Sequence, residues 1–114
     1  MTIAKIYAQL SCRSLAQGTA WFANIFGRGP DARPMEGLAE WHHEDHAGFQ
    51  LFQNPDDAGH GTLTLFVRDL AEVHNQLCDL GLNPPGIERG DSVTIVRLRD
   101  PDSNLVVLAQ PRHA

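Results

Sequence analysis

An internal repeat constrains the fold of this chain more than any other feature. Residues 6–27 and 61–81 each begin with alternating apolar and polar positions, continue with apolar residues at helical spacing, and end in glycine. The alternation is typical of a strand with one buried face, and the helical spacing is typical of an amphipathic helix. The sequence therefore predicts two copies of one strand–helix unit within 114 residues.

The boundaries of each helix are marked at both ends. Ser14 and Asp69 are N-cap residue types, and each is followed three positions later by Gln or Glu, as in a capping box. Gly27 and Gly81 follow the apolar stripes, where glycine can adopt the left-handed conformation that ends a helix. Equivalent signals at equivalent positions support the duplication.

Each helix is followed by a break in the chain and then by two further strand-like segments. Gly29-Pro30 and Pro84–Gly86 leave room for only a short edge strand. We predict an α+β fold of two βαβββ modules, residues 1–53 and 61–114, joined by a linker at 54–60 within a single domain. Each helix packs on one face of its sheet and leaves the other face free. The later strands are predicted at 38–43, 49–53, 92–99 and 105–110.

Composition limits the partners and the location of the protein. The chain has 14 acidic residues against 9 Lys and Arg, which argues against nucleic acid because a phosphate backbone selects basic surfaces. No apolar run is long enough to cross a bilayer, and no secretion signal begins the sequence. Cys12 and Cys78 have no ligand-type neighbours, so we expect two reduced thiols in a cytoplasmic protein that does not contact membranes.

Three pieces of the sequence carry a family resemblance. They are the helix from Ser14 to Gly27 with its Trp-Phe pair, the Arg-Asp-Leu helix start at 68–70, and the terminal turn and strand at 100–108. In this order along the chain, and with the strand–helix unit duplicated, they resemble the vicinal oxygen chelate superfamily of glyoxalases, bleomycin-resistance proteins and dioxygenases. The turn at 100–104 is the most specific match, although Ser103 stands where the family has glycine. The resemblance implies curled sheets whose free faces form cups, completed between two chains of a homodimer.

The resemblance also implies four metal-binding positions, which enzymes of the family fill with His or Gln, Glu, His and Glu. Two of these positions are a threonine and a valine in this sequence, Thr62 and Val107. A valine side chain has no donor atom, and a threonine hydroxyl is a poor ligand for Fe, Mn, Ni or Zn. A register shift of two brings in Gln9 or His60 but no glutamate in the last strand. We therefore predict no metal site and no cofactor. In this sequence the four positions are Tyr7, Gln50, Thr62 and Val107.

Strand alternation predicts which side chains line the cup. They form a mixed surface of apolar, hydroxyl and amide groups without fixed charge, which suits a neutral or aromatic small molecule. Arg97 lies either in the cup, as a binding group for anions, or at a sheet edge as a solvated charge, and the sequence leaves both open. The predicted lining residues are Tyr7, Gln9, Ser11, Gln50, Phe52, Thr62, Thr64, Phe66, Leu105 and Val107.

Two interpretations of the histidines are open: they form a metal site, or they are solvent-exposed side chains at the tip of a hairpin. His42, His43 and His46 cluster in the segment WHHEDH, but no further ligand at a defined spacing completes the set. Alternation puts His42 and His43 on opposite faces, so one of them is a candidate for the cup. His60 lies among glycines in the linker and is expected at the rim.

These observations favour a homodimeric, metal-independent protein that binds a small molecule in order to sequester or carry it. One alternative is a metal-dependent lyase, isomerase or dioxygenase of the same superfamily, with a displaced site at Gln50, His60 or His42. A second alternative is an interaction module whose cup is vestigial.

Overall fold

The computed structural model of the chain describes residues 1–112 and contains two sheets, each with one helix. His113, which the sequence places in a tail, lies outside the described residues together with Ala114. The elements in chain order are β1 (Ile6–Cys12), α1 (Leu15–Phe26), β2 (Leu38–His43), β3 (Ala47–Gln53), β4 (Thr62–Phe66), α2 (Leu70–Asp79), β5 (Glu88–Arg89), β6 (Val93–Arg99) and β7 (Leu105–Pro111).

The strand order confirms the repeat. The first sheet has the order β1-β3-β2 and the second has the order β4-β7-β6-β5. In each sheet the strand before the helix runs parallel to the last strand of its half, and the remaining pairs are antiparallel. The predicted short edge strand is β5 in the second sheet, but in the first it is only a bridge between Ala32 and Glu40. Prolines near these segments remove backbone donors and limit their length.

The helix ends match their sequence signals. The Ser14 hydroxyl accepts a hydrogen bond from the Gln17 amide at 3.2 Å, and the Asp69 carboxylate accepts one from the Glu72 amide at 3.1 Å. Gly27 and Gly81 both adopt left-handed backbone angles, with φ of 74° and 79°. Both helices are therefore fixed at each end by local chemistry. Among residues 1–112, no helix has the length and apolar character that a bilayer crossing requires.

Both helices cover the same side of the molecule, where one continuous apolar core lies. Between α1 and the first sheet, the rings of Phe22 and Phe26 pack with those of Trp41 and Phe49, with centroids 4.7–6.3 Å apart. Leu70 and Leu77 of α2 are buried and belong to the same core as the inward residues of the second sheet. The opposite face of each sheet, here called its free face, has no helix over it.

A buried asparagine joins the two halves of the chain. The Asn104 side chain donates to the Ser11 carbonyl at 2.9 Å and accepts from the Gly59 and Gly61 amides at 3.1 and 3.0 Å. Asn104 is completely buried directly before β7. One amide side chain therefore connects the end of β1, the linker and the second sheet.

The rest of the 100–104 turn holds this asparagine in place. Asp100 is buried, and its carboxylate accepts from both the backbone and the side-chain amide of Asn104, at 2.8 and 2.9 Å. Burial raises the pKa of Asp100 despite these hydrogen bonds. Asp102 accepts from the backbone amide of Arg13 at 3.0 Å, which adds a second link to the residues just after β1.

We expect Asn104→Ala to lower the free energy of unfolding by at least about 3 kcal/mol, because it leaves several buried backbone groups without partners. Denaturant unfolding followed by circular dichroism measures the change. Asn75→Ala, on the exposed surface of α2, is the matched control and should cause no loss. A loss below about 1 kcal/mol for Asn104→Ala would contradict the role given to this side chain.

Ser103 adopts a left-handed backbone conformation, with φ of 75°, which disfavours any residue with a Cβ. Ser103→Gly should therefore raise the free energy of unfolding by about 0.5–1 kcal/mol, after the extra chain entropy of glycine is subtracted. The same substitution at Ser92, whose φ is not positive, should lower stability slightly. Equal effects at the two positions would refute the explanation.

Candidate functional site

The register of the first sheet places five predicted residues on its free face. Neighbours across paired strands point to the same side of a sheet, so each row of partners shares a face. Glu40 and His42 of β2 join this face opposite Gln50 and Gly48. The predicted residues there are Tyr7, Gln9, Ser11, Gln50 and Phe52, with Gln9 paired to Gln50 and Ser11 to Phe52.

A row of hydrogen-bonded polar side chains crosses this free face. Gln9 Nε2 donates to Gln50 Oε1 at 2.9 Å, and Gln50 Nε2 donates to Glu40 Oε2 at 2.8 Å. His42 Nε2 lies 2.8 Å from Glu40 Oε1. Three strands thus contribute to one chain of contacts, here called the polar row (Gln9, Gln50, Glu40 and His42).

Glu40 is the electrostatic centre of the polar row. Its side chain is only 13% exposed, and the hydrogen bond from Gln50 lowers its pKa, with His42 adding to the effect. Burial acts in the opposite direction but does not prevail. The carboxylate is therefore ionised at neutral pH.

An aromatic residue adjoins the polar row. The Tyr7 ring lies edge-on to the His42 ring with centroids 6.2 Å apart. Gly48 lies between them in the register, and a Cβ there would approach the Tyr7 ring to 2.8 Å. Gly48 therefore makes room for Tyr7 to pack over the sheet beside the row.

The second sheet carries the remaining predicted residues on its own free face. Thr64 of β4 pairs with Val107 of β7, and Val107 pairs with Arg97 of β6, so the three share a side. This register settles the face of Arg97, whose Nε forms an exposed ion pair with Glu88 at 3.1 Å. Thr62 and Phe66 flank this row, paired with Leu105 and Ala109.

The expectation of a face without fixed charge is wrong. Glu40 and Arg97 both lie on the free faces, one in each sheet. Sequence reasoning missed Glu40, although its alternation with the apolar residues Ala39 and Trp41 would have placed it there. The pairing of Glu40 with Gln50 depends on strand register, which the sequence alone does not specify.

The histidine cluster separates in the structure. His42 lies on the free face with Glu40, whereas His43 shares the opposite face with Trp41. His46 Nδ1 lies 3.3 Å from the Ala4 carbonyl, and His60 is exposed in the linker. Within residues 1–112, no three His, Cys, Asp or Glu side chains converge in a way that could hold a metal ion.

The four positions that correspond to the family's metal ligands do not fit a transition metal. Val107 offers no donor, and Thr62 offers only a hydroxyl. Both ends of the Gln50 amide are occupied, by Gln9 and by Glu40. The donor set here suits hydrogen bonding to an organic molecule better than metal coordination.

Cys12 is unsuited to nucleophilic chemistry. It is fully buried in the core, and desolvation together with the charges of Asp102 and Asp100 raises the pKa of its thiol to about 11. The reactive thiolate is therefore scarce at neutral pH. Cys78 is exposed on α2, and neither cysteine forms a disulfide.

An apolar groove lies on the helical side of the molecule, between α1 and α2. It has a volume of about 1070 Å³ and opens where β1 and β4 lie side by side without pairing. Ile6 and Leu80 in its wall are 70% and 52% exposed. Its apolar lining includes Ile6, Ala8, Ile25, Leu65, Val73 and Leu80.

Comparison with solved structures identifies similar folds. A glyoxalase/bleomycin resistance protein from Catenulispora acidiphila DSM 44928 is 25% identical, covers 94% of this chain and 97% of its own, and superposes with a TM-score of 0.85. A bleomycin-binding protein complexed with bleomycin is 22% identical, with 95% and 98% covered and a TM-score of 0.78. A lactoylglutathione lyase from Agrobacterium tumefaciens is 16% identical, with 96% and 95% covered and a TM-score of 0.76. No protein-family model and no curated protein matches the chain.

We expect Gln50→Met to raise the pKa of Glu40, because it removes the hydrogen bond that contributes most to lowering it. Carbon-13 NMR of the Glu40 carboxyl carbon measures this directly. A lowered carboxyl pKa stabilises the fold above the ordinary pKa and loses that effect as pH falls through the folded-state value. The stability gap between wild type and Gln50→Met should therefore shrink in acid.

Gln76→Met, on the exposed side of α2, is the control and should leave the Glu40 pKa unchanged. If Gln50→Met also leaves that pKa unchanged, the hydrogen bond does not have the assigned electrostatic effect.

Proposed function

Since the chain has the fold of the vicinal oxygen chelate superfamily, we propose that it is a metal-independent protein that binds a small molecule by sequestration or carriage. Structures of this fold include one named for binding bleomycin and one named as a lyase, so the fold alone does not separate binding from catalysis. The residues of the free faces favour binding.

The observation that carries the proposal is the polar row. Gln9 and His42 are exposed, and Gln50 and Glu40 are partly exposed, so the row is not a buried structural network. Ordered polar side chains on an accessible sheet face, beside the ring of Tyr7, provide the few directional groups that orient a ligand in a largely apolar site. Core packing does not require them, because the core lies on the other side of the sheet.

We include homodimerisation in the proposal. The interhelical groove exposes large apolar side chains, and exposed patches of this kind often mark interfaces. β1 and β4 are the edge strands that flank it, and each has a neighbour on one side only within the sheets of residues 1–112. A second copy seated in the groove can cover these exposed apolar side chains.

One observation supports the enzyme alternative. The Glu40 carboxylate lies 2.8 Å from His42 Nε2, and a carboxylate that orients an imidazole is a common arrangement in general base catalysis. Turnover of methylglyoxal–glutathione or of a catechol with added Ni, Mn or Fe, lost in His42→Ala, would favour this alternative over binding.

The proposal predicts ligand binding by metal-free protein. After dialysis against a chelator, a library of small aromatic compounds is screened by NMR, with the side-chain amide signals of Gln9 and Gln50 as reporters. Compounds that shift these signals should bind about 3–10-fold more weakly to Gln9→Ala, which loses one hydrogen-bonding group worth about 0.5–1.5 kcal/mol. Native mass spectrometry should show a dimer.

Gln17→Ala, an exposed glutamine on α1, is the matched control and should bind as wild type does. Two results would contradict the proposal: a stoichiometric transition metal that survives dialysis, or a library in which no compound moves the reporter signals.

A further inference from the structure

The hydrogen bonds of the polar row have a fixed direction. An ionised carboxylate only accepts, so Gln50 must direct its Nε2 at Glu40 and its Oε1 at Gln9. Gln9 must then donate through its own Nε2, which leaves its Oε1 outside the row. The same argument makes His42 Nε2 a donor to Glu40, so Nδ1 of the neutral ring remains an acceptor.

The row therefore ends in acceptors and has a negative centre. A carboxylate has about four lone-pair positions, and within residues 1–112 the Glu40 side chain accepts from Gln50 and His42 only. The side-chain amides of Gln9 and Gln50 each keep a second N–H, so the row also contains neutral donors. The full charge of the row, however, is the negative charge of Glu40.

Within residues 1–112, no lysine or arginine forms an ion pair with Glu40. Its ionic partner is His42, which is charged only when protonated. Lys5 acts on Glu40 through its charge, but it is exposed, so solvent weakens that effect. Arg97, on the other sheet, is already paired with Glu88. A ligand that covers the row thus removes water from a carboxylate that lacks a permanent counter-ion, which is unfavourable unless the ligand supplies one.

We propose that the polar row selects ligands that present a cationic hydrogen-bond donor, such as an amidinium, guanidinium or ammonium group, to Glu40. This inference rests on the proposed function, because it specifies the chemistry of the molecule bound at the same face. Selection works in both directions: a cationic donor completes the hydrogen bonds of Glu40, and an anionic ligand is repelled by the same carboxylate. The Tyr7 ring beside His42 adds a contact surface for a planar group.

Three probes of the same shape test the charge preference. Benzamidine is cationic, benzamide is neutral and benzoate is anionic, and each carries one phenyl ring. Their dissociation constants are measured by NMR titration on the amide signals of Gln9 and Gln50. We expect benzamidine to bind at least 10-fold more tightly than benzoate, with benzamide between them, and the preference should decrease as salt is added.

Glu40→Gln is the decisive variant, because it keeps the shape of the side chain and removes its charge. The ratio of benzamidine to benzoate affinity should fall to within about 3-fold, while benzamide binding changes little. Glu36→Gln removes the same charge at an exposed position and should leave the ratio unchanged. The amide spectrum verifies the fold of each variant, and the wild-type probe order and salt dependence test the inference even if Glu40→Gln does not fold.

Several outcomes overturn the inference. The inference requires that benzamidine binds and that benzoate binds more weakly than benzamidine. It also requires that the ratio of the two affinities changes in Glu40→Gln and does not change in Glu36→Gln. If these conditions fail while other library compounds still shift the reporter signals, the charge preference is wrong and the proposed binding function stands. If no compound shifts them, both fail.

Discussion

The rest of the architecture depends on the hydrogen bonds of Asn104, because they connect the two halves of the chain. Its buried side chain makes four of them, to Ser11, Gly59, Gly61 and Asp100. Each half of the chain can bury only one face of its sheet, so their relative placement needs a specific link besides the shared core. An amide provides this link because it donates and accepts at the same time.

The free faces follow from this arrangement. With both helices on one side, most inward positions of the strands are apolar, and most outward positions are released from core packing. In the first sheet the released positions of three strands align as the polar row, and in the second sheet Thr64, Val107 and Arg97 align in the same way. Strand register therefore turns isolated polar residues into a surface with defined chemistry.

Much of the fold and part of the candidate site were predictable from the sequence. The caps at Ser14 and Asp69 depend on contacts within one helical turn, so local sequence specifies them. The faces of Gln9 and Gln50 follow from alternation along single strands. Their hydrogen bond, the place of Glu40 beside them and the face of Arg97 depend on which residues lie opposite on other strands. Alternation within one strand carries no such information.

The sequence by itself determined the duplicated strand–helix units, their boundaries and the division of each strand into two faces, because these properties arise from neighbours within a few positions along the chain. Only the tertiary structure decided that the 100–104 turn joins both halves, that Glu40 is held between Gln50 and His42, and that an apolar groove opens between the helices. The physical reason is distance along the chain: Asn104 and Ser11 are 93 residues apart, and only folding brings their polar groups within hydrogen-bonding range.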